Sequence, residues 1–505
     1  VERHPAGQGR DGFFRLLKRV IAGKPTDERL LVSEIFEGRR TRTEHQDMGT
    51  LREPAREVPV YRECDVLVVG GGPSGTAAAV AAARLGAEVV LLERYNHLGG
   101  LSTGGLVIWI DRMTDWTGKL VMRGFAEEIM DRLPREAVAG PARKDWGSRD
   151  AASAAHWAQR TAAFHGIVTW SPTVDPERLK LASQEIVLAQ KVHLVFHSWA
   201  ALPLLEDGKV RGVFFESKAG RQAVRAKVVV DATGDGDLFA RAGAAFESDI
   251  EAADIHHCMN TAWLLGGVDM ARWIEFRAGS PEQFAQFMAR GREQLRAFER
   301  PFVSWRNDIA LFMGPRQSGF SALDVDDQTE VEIRSHRLMA QHLDFYRAHA
   351  PGFENAFLFL SAPQLGVRHA RRLSGVEKIT RAQWPTARIF DDEVGVTPSV
   401  SPRFPNISIP YGSLVPAQLD GLLACGRHIA CDPNSHGFMR EIPQCWTTGQ
   451  AAGAAAAIAA NRGLAPRAID IGELQSALLR QGVYLNNSEK KPCQAEARHL
   501  SAPIT

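Results

Sequence analysis

Three glycines in the stretch CDVLVVGGGPSGTAAAVAAARLGAEVVLLER, residues 64–94, stand where their type and spacing could do chemistry. Gly70-x-Gly72-x-x-Gly75 follows an apolar run and opens an Ala-rich one, and Glu93 closes a second apolar run 18 residues after Gly75. Each glycine answers a separate need. Gly70 permits a tight turn, Gly72 lets backbone approach a pyrophosphate with no Cβ in the way, and Gly75 lets a helix pack close to a strand. Pro73 and Ser74 stand at the start of that helix, whose free N–H groups suit phosphate. Glu93, followed by Arg94, is placed to accept hydrogen bonds from an adenosine ribose. Strand, helix, strand and acid in this order predict a dinucleotide site. The motif alone leaves NAD and FAD both open.

The elements that must position these residues read from the periodicity. Val66–Val69 and Glu88–Leu92 are expected as buried strands and Ser74–Leu85 as the helix between them. A Gly-rich loop follows from His97, and Pro176–Leu188 reads as a helix with proline in its first turn. Three strand-like pieces come next, with Asp207-Gly208 as a hairpin turn. Residues from about 245 to 400 mix helices and loops, and REIPQCWTTGQAAGAAAAIAANRG reads as a buried helix ending at Gly463. Residues 1–61 read as an arm with no motif, and the last dozen residues as a loose tail.

Bulk properties bound the function. The 505 residues carry a net charge of +1, with 45% hydrophobic and 24% charged residues, which is ordinary for a soluble globular chain and argues against nucleic acid or an anionic membrane as main partner. Six cysteines in so long a chain make no disulfide scaffold, and no C-x-x-C occurs. No secretory h-region follows the polar first residues and no stretch reads as lipid-spanning, so a cytoplasmic protein with a small-molecule substrate is the expectation, with a homo-oligomer left open. The His256-His257-Cys258 and Cys425–Cys431 stretches match no recognised zinc spacing, and no metal is expected.

Three further segments carry a resemblance: LGGLSTGGLV (98–107), VVVDATGDGD (228–237) and GLLACGRHIACDPNSHGFMREIPQCWTTGQAAG (421–453). With the glycine motif they resemble the FAD-dependent oxidoreductases, a family with thiazole-synthase-like and heterodisulfide-reductase-like relatives and a FAD fold of the glutathione-reductase type. The similarity runs from about Asp65 to Gly463. It implies an α/β chain: a Rossmann-like FAD-binding domain at 62–125, 165–245 and 400–465, and an inserted α+β substrate or cap region at 126–164 and 246–399, followed by a C-terminal helix and tail at 466–505. It implies FAD as cofactor. Gly100, Leu101, Ser102 and Gly105 would lie along the isoalloxazine edge, with the Ser102 and Thr103 hydroxyls donating near N5. Ala232, Thr233, Gly234 and Asp237 would abut the adenine-to-pyrophosphate half, and Gly426 and Arg427 the ribityl chain. A helix from about Thr448, with Gly449, Gln450 and Ala451, would point its positive end at the flavin. The stretch CGRHIAC departs from the family pattern after Arg427.

His436 and Arg440 fall between two segments expected to touch the flavin. Arg440 could hold a carboxylate or developing charge and His436 could move a proton; the bland alternative is a locally paired loop. His369, beside Arg371 and Arg372, is the next catalytic candidate. The reading is hydride transfer between a small organic substrate and flavin N5, with reoxidation by oxygen or an external acceptor. An oxygen-activating FAD monooxygenase and a non-redox isomerase or lyase, or a structural use of FAD, stand as alternatives. No second strand-GxGxxG-helix unit and no Trp-x-Trp-x-Ile-Pro occur, which weighs against built-in NADPH-driven hydroxylation.

Overall fold

The computed structural model describes residues 49–486, apart from 251–253 and Arg296. The arm at 1–48 and the tail from 487, with Cys493, lie outside the described residues. The chain enters through β1 (Val60–Val69), turns into α1 (Pro73–Arg84) and returns through β2 (Val89–Leu92). The helix starts one residue earlier than expected because proline occupies its first turn, where a missing N–H costs nothing. After α2 (Pro176–Ala189) come β3 (His193–Val195), β4 (Trp199–Glu206), β5 (Lys209–Ser217) and β6 (Gly220–Asp231). Asp207 and Gly208 both take positive φ, 50° and 71°, and close the β4–β5 hairpin as expected.

The second stretch contributes β7 (Met259–Asn260), β8 (Trp263–Gly266), α3 (Met270–Gly279), α4 (Pro281–Gln294), β9 (Phe302–Val303), β10 (Ile309–Phe312), α5 (Val325–His349), β11 (Phe357–Ser361) and β12 (Gly366–Val367). The chain then returns through β13 (Leu422–Ala424), α6 (Pro433–Met439), α7 (Ile442–Arg462) and α8 (Ile471–Arg480).

Two sheets organise the molecule. The larger runs β3-β2-β1-β6-β5-β4, with β13 added beside β6. Strands β3, β2, β1, β6 and β13 are parallel, so their carboxyl ends share one edge. Val69 pairs with both Leu92 and Asp231, and Asp231 with Ala424. The next residues, Gly70, Glu93, Ala232 and Cys425, therefore line up along that edge, where open α/β sheets bind ligands. The central parallel strands are buried on both faces at 66–69, 89–92, 228–231 and 422–424, and their near-continuous Val/Leu runs are the sequence trace of it, while the edge strand β3 is only half-buried. The smaller sheet, β9-β10-β8-β11, is antiparallel, and an aromatic core of Trp263, Trp273, Phe312 and Tyr346 packs behind it.

Helices α1 and α7 cross at very close range. A Cβ on Gly449 would lie 2.1 Å from the Ser74 carbonyl oxygen, and one on Gly453 2.0 Å from that of Ala78. The run GQAAGAAAA thus serves backbone-to-backbone packing, and its small residues are what allow it. Among the described residues no helix is long and apolar enough to cross a membrane.

His342 of α5 gives the second sheet's core a pH dependence. Its Nδ1 donates to the Leu338 carbonyl at 2.7 Å and its Nε2 accepts the Glu299 N–H at 3.1 Å, so both ring positions fit only the neutral form. Burial pushes it down to about 4. The unfolded chain then takes a proton near pH 6.5 that the fold refuses, so stability is full above that pH and is lost as pH falls towards 4, by at most about 3 kcal/mol. Urea unfolding of wild type and His342→Phe at several pH values should show the wild type losing stability more steeply over that window, by about one proton. Equal slopes would remove His342 from the account.

Candidate functional site

A cleft of about 850 Å³, open solvent included, runs along the carboxyl edge of the larger sheet. Gly70, Gly72, Pro73 and Ser74 line it, with Gly100 packed beside Gly72 and Leu101 next to it. Glu93 and Arg94 stand at one end, Ala232, Thr233, Gly234, Asp237 and Arg427 along one side, and Arg440 towards the other end.

The glycines divide by what surrounds them. A Cβ on Gly75 would sit 1.7 Å from the Gly70 carbonyl oxygen, and one on Gly70, at φ +100°, would sit 2.5 Å from that of Ala232. The fold itself demands both. Gly72 has an ordinary φ of −67°, and a Cβ there would meet nothing nearer than the Gly100 Cα at 4.0 Å. No protein neighbour requires glycine at 72; its bare backbone faces the cleft, as a pyrophosphate needs. The residues present thus fit a dinucleotide.

Glu93 is buried, with Oε2 accepting the Gly71 N–H at 2.6 Å and Oε1 the Tyr95 N–H at 2.7 Å. Burial raises its carboxyl, while those N–H groups act to lower it. Each oxygen keeps a lone pair for a ribose hydroxyl. Arg94 stacks between Tyr95 and Trp199, 4.8 and 4.9 Å from the ring centres. Trp199, Ser198 and Ala200 also line this end. Sequence reasoning missed them, because only the pairing of β3 with β2 and the Ser198 N–H bond to the Glu93 carbonyl at 3.0 Å bring them there.

The opposite wall is built by Asp231, fully buried and likewise not singled out from sequence. Its Oδ1 accepts from the Thr233 N–H and hydroxyl at 3.0 and 2.7 Å, and its Oδ2 from the N–H groups of Leu238 and Phe239, both at 3.0 Å. These bonds fix the Ala232–Gly234 turn. Arg427 pairs with Asp235 at 2.6 Å, and Arg371 with Asp237 at 3.3 Å. Burial, then Asp235 and Asp231, raise the Asp237 carboxyl.

The structure places several of the expected residues away from the cleft lining or engages them within the protein. The Ser102 hydroxyl donates to the Gly99 carbonyl at 2.7 Å and that of Thr103 to the Leu98 carbonyl at 2.7 Å, so both protons are used within the loop. Ser102 and Gly105 lie off the cleft; a Cβ on Gly105 would meet Leu101 at 2.6 Å. The Gly426 N–H is taken by the Thr448 hydroxyl at 3.1 Å, and Gly426 packs on Ser74. The helix expected from Thr448 begins at Ile442, with Pro443 in its first turn, the signal that could have placed it. Its first turn, through Ile442 and Cys445, reaches the cleft, whereas Gly449, Gln450 and Ala451 are interior. The Gln450 side chain accepts the Phe125 N–H at 2.9 Å and ties the helix to the neighbouring loop.

His436 and His369 stand behind the lining, buried, with rings in T-shaped contact at 5.0 Å. Neither ring nitrogen of His436 has a partner, and burial, with Arg440 and His369 beside it, holds it well below the usual histidine range. His369 accepts from Arg372 at 2.8 Å through Nε2 and is pushed down to about 3, mainly by burial. Burial thus favours the neutral imidazole at both positions. Arg372 is wholly buried and paired with Glu247 and Asp249, so this basic cluster is structural.

The family model described as FAD dependent oxidoreductase matches residues 65–478. This chain belongs to that family. Its cofactor is FAD, in keeping with the cleft. A digeranylgeranylglycerophospholipid reductase 2 from Methanothermobacter thermautotrophicus is 30% identical over 224 residues, 43% of this chain and 50% of that one. A thiamine thiazole synthase from Aeropyrum pernix is 40% identical over 77 residues, 15% of this chain and 25% of that one. The chain thus spans half or less of these curated relatives. The crystal structure of a geranylgeranyl bacteriochlorophyll reductase-like protein from Thermoplasma acidophilum aligns with a TM-score of 0.41 at 15% identity, covering 82% of each chain.

Proposed function

We propose that this flavoprotein oxidises or reduces a small organic substrate, with hydride passing between substrate carbon and flavin N5 and electrons exchanged with oxygen or an external partner. The observation that carries the reading is the course of the cleft. It runs from the ribose-accepting Glu93 past the bare backbone of Gly72 to Arg440, Ile442 and Cys445 at the far end. The flavin, when bound, supplies the redox chemistry. The chain's own residues bind and orient. Glu93 would accept from the ribose, the α1 N-terminus and Gly72 would receive the pyrophosphate, and Arg427 would help hold the cofactor between them. The α7 N-terminus and the Arg440 guanidinium present positive charge where negative charge develops. Residues 246–399 would close the substrate side as a cap.

Anaerobic mixing of the yellow protein with candidate organic donors, and separately with NADPH, tests the reading. Bleaching by an organic donor, followed by recovery of colour on admitting oxygen or a dye, is the expected result. Bleaching by NADPH alone, with oxygen then inserted into an added substrate, would replace the reading with a monooxygenase. Turnover with no change in flavin oxidation state and no acceptor consumed would overturn it in favour of non-redox chemistry.

A further inference from the structure

Beyond the far end of the cleft lies a cluster of arginines that the flavin-binding residues do not account for. It is built by a narrow three-stranded strip. Met259 of β7 exchanges two backbone hydrogen bonds with Gln317, each 2.9 Å, and pairs on its other side with Val367 of β12. Successive residues of a strand point to opposite faces. Met259 and Val367 face α5, in one apolar cluster with Val331, and the Gln317 amide donates to the Val331 carbonyl and the Ser335 hydroxyl at 3.2 and 2.8 Å. Their neighbours Arg316, Cys258 and Arg368 therefore face the other way, and the Arg368 N–H reaches the Cys258 carbonyl at 3.4 Å, in keeping with this register.

What faces them is the α6–α7 junction. A Cβ on Gly437 would touch the His256 ring at 3.4 Å, which sets α6 against the strip, and Arg440 and Glu441 follow directly. Arg316, Arg368 and Arg440 are half-buried and near enough for the charges of Arg316 and Arg368 each to disfavour that of Arg440. Arg440 pairs with Glu441 at 3.1 Å, but among the described residues its Nε has no partner, nor has that of Arg316. Two other acids stand near: Asp111, which pairs with Arg112 at 3.7 Å, and Glu299, beside Gly314, whose carboxyl burial raises towards the neutral form. Three guanidiniums thus face Glu441 and a carboxyl that resists ionising. The surplus is one to two positive charges in a poorly solvated place, which calls for an anion. Arg440 belongs to both this cluster and the cleft, which Gln364 also lines, and among the described residues the Gln364 Oε1 has no partner.

We propose that the substrate is an organic acid whose carboxylate is received between Arg316 and Arg368, with Arg440 on the flavin side. The proposal rests on the flavin reading for what happens to the substrate, but not for the anion site itself. A planar guanidinium offers paired donors that match a carboxylate, and the surplus is the charge that one carboxylate, or a dicarboxylate, would neutralise. Glu441 within the same cluster disfavours a bulkier phosphate dianion.

The probes are butyrate, succinate, their amides and inorganic phosphate, titrated into holoprotein at constant ionic strength and followed by calorimetry and by perturbation of the flavin spectrum. Both carboxylates should bind at least about tenfold more tightly than their amides, and also more tightly than phosphate. In Arg316→Met and in Arg368→Met the carboxylate affinity should fall by about tenfold or more with FAD content unchanged, and Arg316→Lys should recover part of it. Equal affinity for acid and amide, a preference for phosphate, or undiminished carboxylate binding in both Met variants overturns the proposal. The comparison of acid with amide needs only wild-type protein, so a variant that fails to fold leaves the test intact. FAD occupancy is measured separately and calorimetry can be repeated on apoprotein, so a failure of the flavin reading and a failure of the anion site are distinguishable.

Discussion

Gly72→Val should give a folded, colourless protein. At φ −67° the backbone accepts any residue, and the first side-chain carbon finds its nearest neighbour at 4.0 Å. The valine methyls would enter the cleft that Gly72 and Pro73 line, where a pyrophosphate on the α1 N-terminus would lie. Overlap with a ligand held on all sides should cost at least about 3 kcal/mol of binding, or roughly a hundredfold in FAD affinity. Gly75→Ala makes the contrast. Its methyl would stand 1.7 Å from the Gly70 carbonyl oxygen, so β1 and α1 would have to separate and the fold itself should fail. Circular dichroism and thermal melting of the apoproteins, with flavin absorbance and acid release to show FAD and not FMN, separate the two effects. A Gly72→Val protein with full FAD occupancy would mean that the cofactor's phosphates do not pass this residue.

Asp231→Ala should be the most destabilising polar substitution in the larger sheet. The carboxylate is wholly buried and takes four hydrogen bonds, three from backbone N–H groups. Removing it strands those donors at the start of the short helix Asp237–Arg241 and frees the turn that walls the cleft. Each unsatisfied buried donor costs about 1–3 kcal/mol, so the loss should reach about 4 kcal/mol or more. Asp231→Asn keeps the shape and one accepting oxygen, but turns an NH₂ group towards two backbone donors. It should lose about half as much. Urea unfolding of the apoproteins measures both, and FAD affinity should fall with them, because Ala232, Thr233 and Gly234 lose their anchor. Stability within about 0.5 kcal/mol of wild type for Asp231→Ala would show that other contacts hold the turn.

What could be read along the chain was whatever depends on near neighbours. The β1–α1–β2 unit was legible because its apolar runs, its three glycines and its closing acid lie within one stretch of chain, and each follows a local steric or hydrogen-bonding need. The Asp207-Gly208 hairpin was legible for the same reason, since two adjacent positive-φ residues specify the turn. Family membership and FAD followed from motifs of that kind. Tertiary structure alone decided which residues become the walls. Trp199 meets Arg94 because β3 adds to β2, and Gln364 joins the cleft lining because the chain before β12 returns beside Gly104, across separations that no periodicity encodes. It also decided between two uses of the same small residues. Gly449 and Gly453 lie one helical turn apart, and that spacing serves equally a helix near a ligand and a helix crossing another at backbone contact. The Ser74 and Ala78 carbonyls beneath them select the second. His436 and His369 look chemical in sequence because histidine titrates near neutrality, but burial without a counter-charge removes that property, and burial is a fact of packing.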